Sequence, residues 1–226
     1  MPAAAAACRW PLSTLRLHLV TDAALCGARG VEAVVAAAVR GGATCVQLRE
    51  KQLGTRDFVA RARALKALLA PLGVPLIIND RLDVALAADA DGVHVGQSDM
   101  PVDVVRRLLP NGLVGLSVEN TAQAQAAAAL PAGLVDYLGV SPVFATPSKT
   151  DTAPALGLDG LRQLRALTAL PLVAIGGMGL ENAAQVIAAG ADGLAVVRAL
   201  CAAPDPQSEA QALRQRIASA LPPDLP

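Results

Sequence analysis

Residues 90–99 read Ala-Asp-Gly-Val-His-Val-Gly-Gln-Ser-Asp, which is a tight turn followed by a short apolar run and then a polar run. The turn recurs as Gly-Ala-Asp-Gly at 190–193, and a similar turn, Gly-Gly-Ala, stands at 41–43. We interpret these glycines as turns from a helix into the next strand, because glycine accepts the backbone conformations that such turns need. The pattern predicts a strand–helix unit that repeats along the chain.

Runs of strand length occur about eight times, and stretches with helical periodicity separate them. The predicted strands cover residues 17–22, 44–50, 75–80, 92–96, 113–118, 137–143, 171–177 and 193–198. The predicted helices cover residues 31–40, 55–70, 82–88, 102–109, 121–129, 158–167, 181–189 and 208–220. Eight parallel strands close a (β/α)8 barrel, and an open doubly wound sheet is the alternative for the same alternation.

The connections between these elements are short, so we expect a single domain, a (β/α)8 TIM barrel over residues 15–222. Residues 1–14 are rich in alanine and lack the basic and long apolar segments of a targeting signal, and they are expected to form a disordered leader. Charged residues interrupt every apolar run, so no membrane span is predicted and a cytoplasmic protein is expected.

The chain of 226 residues has 19 Lys or Arg and 19 Asp or Glu, which gives a formal net charge of +0. This balance offers no broad basic surface, so neither nucleic acid nor a membrane is expected as a partner. Aromatic residues make up 2% of the chain, which argues against a base-stacking platform. The cysteines at 8, 26, 45 and 201 are too far apart for zinc or redox motifs.

Unusual polar residues stand at the carboxyl ends of the predicted strands, the face where parallel barrels carry active sites. Arg49, Lys51 and Lys149 would bring cations to one mouth together with the carboxylates of Asp80 and Asp99. This mixture suits a diphosphate bound with Mg²⁺, which takes one or two carboxylates and fills its shell with water and phosphate oxygens. Alternatively, each aspartate caps a helix or pairs with a neighbouring cation.

Neutral polar residues are expected at the same mouth. Gln47, Asn79 and Ser117 suit the edge of a heterocyclic ring, although such residues equally often serve the barrel backbone. His18 and His94 lie within predicted strands, and we interpret both as core histidines.

A second anion site is predicted after the last two strands. Gly176 and Gly177 follow the seventh strand, and Val197 and Arg198 end the eighth. Barrels commonly bind a phosphate monoester at these two loops, where backbone N–H groups and a helix N-terminus face the anion. Glycines in these positions also simply make turns, and that alternative stays open.

Seven motifs stand in a characteristic order: Val-Gln-Leu-Arg-Glu-Lys at 46–51, Ile-Asn-Asp-Arg at 78–81, Gly-Val-His-Val-Gly-Gln-Ser-Asp at 92–99, Gly-Leu-Ser-Val at 115–118, Val-Phe-Ala-Thr-Pro-Ser-Lys-Thr at 143–150, Ala-Ile-Gly-Gly at 174–177, and Ala-Asp-Gly-Leu-Ala-Val-Val at 191–197. In order and spacing they resemble the thiamine-phosphate synthase family. The resemblance extends from residue 17 to about residue 203 and is carried by the combination of motifs.

The resemblance implies a transferase of thiamine biosynthesis that joins a hydroxymethylpyrimidine diphosphate to a thiazole phosphate and releases pyrophosphate. It implies that Mg²⁺ is bound by Asp80 and Asp99. The residues implied to hold the pyrimidine diphosphate are Gln47, Leu48, Arg49, Glu50, Lys51, Asn79, Ser117 and Lys149, of which Arg49, Lys51, Ser117 and Lys149 are the implied catalytic residues. The residues implied to hold the thiazole phosphate are Thr146, Pro147, Ser148, Gly177, Val197 and Arg198.

Three positions depart from the family pattern. Arg198 stands where serine is usual, Ser148 where threonine is common, and Ser141 where glycine is usual. Arg198 therefore loses a hydroxyl contact to the thiazole phosphate, and backbone N–H groups and the new cation would replace it.

Three other functions remain open at this point. They are a thiazole tautomerase-like relative, a non-catalytic sensor of thiamine phosphates, and a phosphosugar isomerase or aldolase that would use Glu50 or Lys51 as its base or Schiff-base residue. The sequence leaves the oligomeric state open and is compatible with a homo-oligomer.

Overall fold

The computed structural model describes residues 10–145 and 154–221. Its strands are β1 (Leu17–Val20), β2 (Cys45–Leu48), β3 (Leu76–Asn79), β4 (Gly92–Val95), β5 (Leu113–Val118), β6 (Tyr137–Val140), β7 (Leu172–Ile175) and β8 (Gly193–Val196). Each strand pairs in parallel with the next, and β8 pairs back onto β1. The expected (β/α)8 barrel is confirmed, and the open doubly wound sheet is excluded.

Helices cover the outside of the barrel. They are α1 (Ala23–Cys26), α2 (Val31–Arg40), α3 (Thr55–Leu69), α4 (Leu82–Ala87), α5 (Val102–Leu108), α6 (Thr121–Ala128), α7 (Gly157–Leu167), α8 (Ala183–Ala188), α9 (Arg198–Cys201) and α10 (Pro206–Ala220). In the described part of the chain, no helix is long and apolar enough to cross a membrane.

Local signals place several helix ends. The Asn120 side chain accepts a hydrogen bond from the Gln123 N–H at 2.9 Å and caps α6. Thr55 is already helical, and its hydroxyl accepts a hydrogen bond from Arg81 instead of capping α3. The cap position of α3 is Gly54, which has no side chain to bond the first turn.

Three aspartates anchor the end of the barrel opposite its carboxyl mouth. Each directly precedes an even-numbered strand, and its Oδ2 accepts a hydrogen bond from a backbone N–H at the start of the preceding strand, at 2.7–2.9 Å. Each also pairs with a cation from the helix before that strand. The pairs are Asp91 with Lys66, Asp136 with Arg106, and Asp192 with Arg165. These three aspartates thus link neighbouring strand–helix units.

Two apolar cores stabilise the fold. The larger one lies between the sheet and the helices. The smaller one lies inside the barrel and consists of Leu15, Val20, Cys45, Ile77, Leu113, Tyr137, Val173 and Ala195. Leu15 belongs to a turn of 3₁₀-helix at Leu12–Leu15 in which Thr14 is also buried. The division between a leader at 1–14 and a barrel at 15–222 stays a prediction.

Candidate active site

A cavity of about 860 Å³ opens at the carboxyl ends of the strands. Its floor is formed by side chains that point into the barrel, among them His18, Gln47 and His94. Its rim consists of the loops that follow the strands, including Arg49 and Lys51 on one side and Gly177 and Arg198 on another. The volume lies in the range of small-molecule sites.

One side of the rim holds two carboxylates and a cation. Lys51 Nζ lies 2.8 Å from Asp80 Oδ2, and Asp99 Oδ2 accepts a hydrogen bond from the Gly96 N–H at 2.7 Å. Asp80 has a positive φ of 63°, a conformation that costs energy for residues other than glycine and is frequent at functional sites. Its backbone N–H is fixed by the His94 carbonyl oxygen at 2.8 Å.

Asp99 faces Asp80 closely enough for the two carboxyl groups to interact. The pKa of Asp99 lies above its ordinary value chiefly because the group is partly buried; the Gly96 N–H opposes this rise and the negative charge of Asp80 adds to it. A divalent cation would relieve this repulsion. Within residues 10–145 and 154–221, no group of three or more candidate metal ligands occurs. The two carboxylates match the one or two that Mg²⁺ takes from a protein when water and phosphate oxygens fill the rest of its shell.

Thr21 fixes the backbone that carries Arg49. Its hydroxyl oxygen accepts a hydrogen bond from the Arg49 N–H at 2.9 Å and donates to the Arg49 carbonyl oxygen at 3.4 Å. Thr21 is almost fully buried. Thr21 was not predicted as a site residue from the sequence, although its position directly after β1 places it at the carboxyl mouth.

Leu48 and Glu50 point away from the cavity, since side chains alternate along a strand. Leu48 is fully buried in the core between the sheet and the helices. Glu50 Oε1 lies 2.5 Å from Arg61 Nη1 of α3, with 4% of its side chain exposed. Glu50 therefore cannot serve as a base at the mouth, and the phosphosugar alternative loses one of its two candidate residues.

Gln47, Asn79 and Ser117 all line the cavity. Ser117 Oγ lies 2.9 Å from His94 Nε2, and the other ring nitrogen of His94 lies 2.9 Å from the Tyr137 hydroxyl oxygen. Burial lowers the pKa of His94 to about 4, which the Asp80 charge opposes. The interpretation of His94 as a core histidine agrees with this burial.

His18 lies on the cavity floor and is fully buried. Neither of its ring nitrogens has a hydrogen-bond partner in the described part of the chain. Burial, assisted by the nearby His94, lowers the pKa of His18 to about 3. Its ring packs edge-on against Tyr137 with 5.5 Å between the ring centroids.

The loops after β7 and β8 form another part of the rim. Gly176 and Gly177 have φ values of 101° and 66°, in the left-handed region that favours glycine. The Asn182 side chain donates to the Gly177 carbonyl oxygen at 2.8 Å and accepts from the Gly179 N–H at 3.0 Å. Asn182 thus fixes the loop, a role that sequence reasoning missed.

Arg198 is exposed at the start of α9 and lines the cavity with Val197. Thr146, Pro147, Ser148 and Lys149 lie outside the described residues. The structure thus brings one candidate cluster from β2–β5 and another from β7–β8 to the same cavity.

A (β/α)8 barrel whose carboxyl mouth combines cations, paired carboxylates and two glycine-containing loops belongs to the class of barrel enzymes that act on phosphorylated small molecules. A sequence model of the family described as thiamine monophosphate synthase matches residues 17–200, and the chain belongs to this family.

Relatives with high identity carry the same designation. The chain is 64% identical to thiamine-phosphate synthase of Albidiferax ferrireducens over 207 residues, which cover 91% of this chain and 93% of the relative. It is 54% identical to thiamine-phosphate synthase of Chloroflexus aurantiacus, over 88% of this chain and 91% of the relative. The chain is accordingly a transferase of thiamine biosynthesis.

A solved structure supports the same assignment. Thiamine phosphate pyrophosphorylase of Pyrococcus furiosus superposes with a TM-score of 0.85 at 36% identity, over 93% of this chain and 99% of that one. A 3-hexulose-6-phosphate synthase superposes with a TM-score of 0.64 at 17% identity, which reflects the barrel fold alone.

Proposed function

We propose that the chain joins 4-amino-2-methyl-5-(diphosphooxymethyl)pyrimidine to 4-methyl-5-(2-phosphoethyl)thiazole, or to the carboxylated tautomer of that thiazole, and forms thiamine monophosphate and pyrophosphate. The carboxylated acceptor also loses its carboxylate as CO₂. The observation that carries the proposal is one cavity with two separate groups of anion-binding elements. Lys51 and Arg49 stand beside the Asp80–Asp99 pair, and the loops at Gly177 and Val197 stand elsewhere on the rim. Two phosphorylated substrates need two such sites in one cavity.

The pyrimidine diphosphate is assigned to the side of β2–β5. Arg49 and Lys51 neutralise diphosphate charge, and Gln47, Asn79 and Ser117 supply neutral hydrogen-bonding groups for the ring and its substituents. Leu48 and Glu50 contribute only backbone groups in this proposal, because their side chains point away from the cavity. Lys149 completes this set by the family resemblance.

Mg²⁺ is assigned to Asp80 and Asp99, the interacting carboxylates at the rim. When bound, the ion supplies positive charge that stabilises the diphosphate as a leaving group. Lys51 lies 2.8 Å from Asp80, so its charge would add to that of an ion held by Asp80 and Asp99. Lys51 and Arg49 both bind the diphosphate and hold it in position.

The thiazole phosphate is assigned to Thr146, Pro147, Ser148, Gly177, Val197 and Arg198. Backbone N–H groups of the loops after β7 and β8 would meet the anion, as in many barrels. Arg198 is exposed on this rim, and within residues 10–145 and 154–221 its guanidinium has no hydrogen-bond or ion-pair partner. Its guanidinium would pair with the phosphate in place of a serine hydroxyl.

Catalysis in this proposal is mainly electrostatic. The bond between the pyrimidine methylene carbon and the diphosphate oxygen breaks, and its electron pair leaves with pyrophosphate. The pyrimidine ring delocalises the developing positive charge through its amino group. The thiazole nitrogen then donates its lone pair to the methylene carbon and forms the new C–N bond. The protein positions both substrates and neutralises the leaving group, so no general base is needed.

Cytoplasmic location and a homo-oligomeric state remain part of this proposal. The first follows from the chemistry, because multiply charged phosphate esters stay in the compartment where they are formed. Size-exclusion chromatography with light scattering tests the second.

The test is pyrophosphate release from the purified chain given both substrates, with thiamine monophosphate followed by mass spectrometry, in Mg²⁺ and in chelator. We expect product that requires both substrates and Mg²⁺. The double variant Asp80→Ala with Asp99→Ala should abolish this turnover and retain the circular dichroism of the barrel. Asp83→Asn is the matched control, because this exposed carboxylate pairs with Arg81 and lies outside the cavity. Full activity in the double variant would refute the metal assignment.

A further inference from the structure

Ser117 is the end of a chain of three side chains that crosses the barrel interior. Ser117 Oγ contacts His94 Nε2, and His94 Nδ1 contacts the Tyr137 hydroxyl, both at 2.9 Å. His94 and Tyr137 are buried, whereas Ser117 is partly exposed at the cavity. The direction in which hydrogen bonds run along this chain decides what Ser117 can offer to a substrate.

The direction follows from counting donors and acceptors. Burial raises the pKa of Tyr137 well above its ordinary value, so its hydroxyl keeps its proton. A His94 ring protonated on both nitrogens would leave the buried Tyr137 O–H without an acceptor, so the ring is neutral, with one N–H donor and one acceptor nitrogen. Within the described residues, the Tyr137 hydroxyl has no hydrogen-bond partner besides His94 Nδ1.

Two arrangements are then left. If Tyr137 donates to Nδ1, the proton of His94 sits on Nε2 and is donated to Ser117 Oγ, and the Ser117 proton is free to point into the cavity. If Nδ1 carries the proton, Ser117 donates to Nε2, and the Tyr137 hydroxyl proton is buried without an acceptor. The second arrangement is disfavoured, because an unpaired buried donor loses its hydration without compensation.

Two glycines leave room for the His94 and Tyr137 rings inside the barrel. A Cβ at Gly115 would overlap both the His94 ring and the Tyr137 hydroxyl, and a Cβ at Gly139 would lie 2.7 Å from His94 Cε1. Two inward-facing glycines on neighbouring strands therefore leave the space that the two rings occupy. The rings are closely surrounded, so neither can swing away to change its partner.

We infer that Tyr137 and His94 are positioning residues that fix Ser117 as a hydrogen-bond donor toward the cavity. Ser117 would thus donate to an acceptor atom of the pyrimidine diphosphate rather than accept from its amino group. This consequence for the substrate rests on the proposed function, whereas the state of His94 in the free protein does not.

The first arm of the test is spectroscopic. The chain has 2 histidines, so protein labelled with ¹⁵N-histidine and carrying a histidine-free tag gives two rings in a two-bond ¹H–¹⁵N correlation spectrum. His18→Phe leaves His94 as the single histidine and assigns it. We expect His94 at neutral pH as the tautomer protonated on Nε2, and Tyr137→Phe should abolish that preference. A wild-type His94 protonated on Nδ1 overturns the inference.

The second arm is kinetic. We expect Tyr137→Phe to lower kcat about tenfold or more with KM values within about threefold, because the lost interaction is made in the transition state. In a Ser117→Ala background the same change should have an effect under about threefold, since the acting hydroxyl is already gone. Cys45→Ala is the control, because it removes packing from the interior core that contains Tyr137 and takes no member from the hydrogen-bonded chain of Tyr137, His94 and Ser117.

The two arms separate the inference from the proposed function. A wild-type protein that releases no pyrophosphate refutes the proposed function, and the tautomer of His94 still decides the inference. Suppose instead that the wild-type protein turns over. The inference is then overturned if Tyr137→Phe does not lower kcat, if Cys45→Ala lowers kcat by as much, or if the effect of Tyr137→Phe adds fully to that of Ser117→Ala. Each of these results leaves the proposed function standing.

Discussion

His18 should make the barrel sensitive to acid, and His18→Phe should remove about half of the acid sensitivity that is due to histidine. The imidazole is fully buried with no partner for either nitrogen in the described part of the chain, and burial lowers its pKa to about 3. In the unfolded chain the pKa is about 6.5. As the pH falls below about 6.5, the unfolded chain takes up a proton that the folded protein refuses until about pH 3.

The magnitude follows from this difference. The contribution of His18 to the free energy of unfolding is fully present above about pH 6.5. Each pH unit below that value removes about 1.4 kcal/mol. When the pH falls from about 7.5 to about 5, His18 therefore lowers the free energy of unfolding by about 2 kcal/mol. His94, buried with a pKa of about 4, contributes a similar loss in the same window and is still present in the variant. His18→Phe should thus halve the loss due to histidine.

The assay is urea unfolding followed by circular dichroism and fluorescence at matched pH values, with coincidence of the two probes as the check for two-state behaviour. The change in stability with pH is compared, so a constant packing penalty from the larger ring does not matter. His18→Leu serves as a second variant if phenylalanine fits poorly. Identical pH dependence in wild type and variants would show that the folded barrel protonates or hydrates His18, and the burial argument would fail.

Three further predictions concern the rim and the opposite end of the barrel. Thr21→Val should lower kcat/KM for pyrophosphate release about tenfold, because the Arg49 backbone loses two hydrogen bonds; unchanged steady-state kinetics would contradict this. Arg198→Ser should be tolerated with at most a modest change in KM for the thiazole phosphate, and a collapse of kcat would instead place Arg198 in the transition state. Asp136→Ala should lower the free energy of unfolding by about 3 kcal/mol, since it removes the carboxylate partner of the largely buried Arg106 and leaves the Val114 N–H unpaired; an unchanged urea midpoint would refute that anchor.

The strand–helix order could be predicted from the sequence because apolar periodicity is a local property. All eight predicted strands exist, and 113–118 matches β5 (Leu113–Val118) in full. Most other predictions run too far at the carboxyl end: the second covers 44–50, whereas β2 ends at Leu48. The extra residues are those that leave the ladder to form the rim. The short helices α1 and α9 were missed, because four residues carry no periodic signal.

The site was predicted less completely, because side-chain direction depends on the register of closed strands. The sequence placed residues 47–51 together at the mouth. Strand alternation then sends Gln47, Arg49 and Lys51 to the cavity, and Leu48 and Glu50 outward. Nothing in the sequence pairs Ser117 with His94, or Thr21 with Arg49, since each pair depends on strands that meet only in the closed barrel.

The barrel interior departs from the usual pattern at the place where the chemistry is proposed. Interiors of such barrels are normally filled by layers of bulky branched side chains. Below the cavity, the interior of this barrel follows that pattern with Leu113 and Ile77. The layer above them instead combines glycine with histidine, and two of its polar groups depress acid stability through burial. Apolar residues in that layer would stabilise the fold, but they would also fill the cavity floor. The polar residues lower the stability and in return leave a floor that can form hydrogen bonds with a ligand.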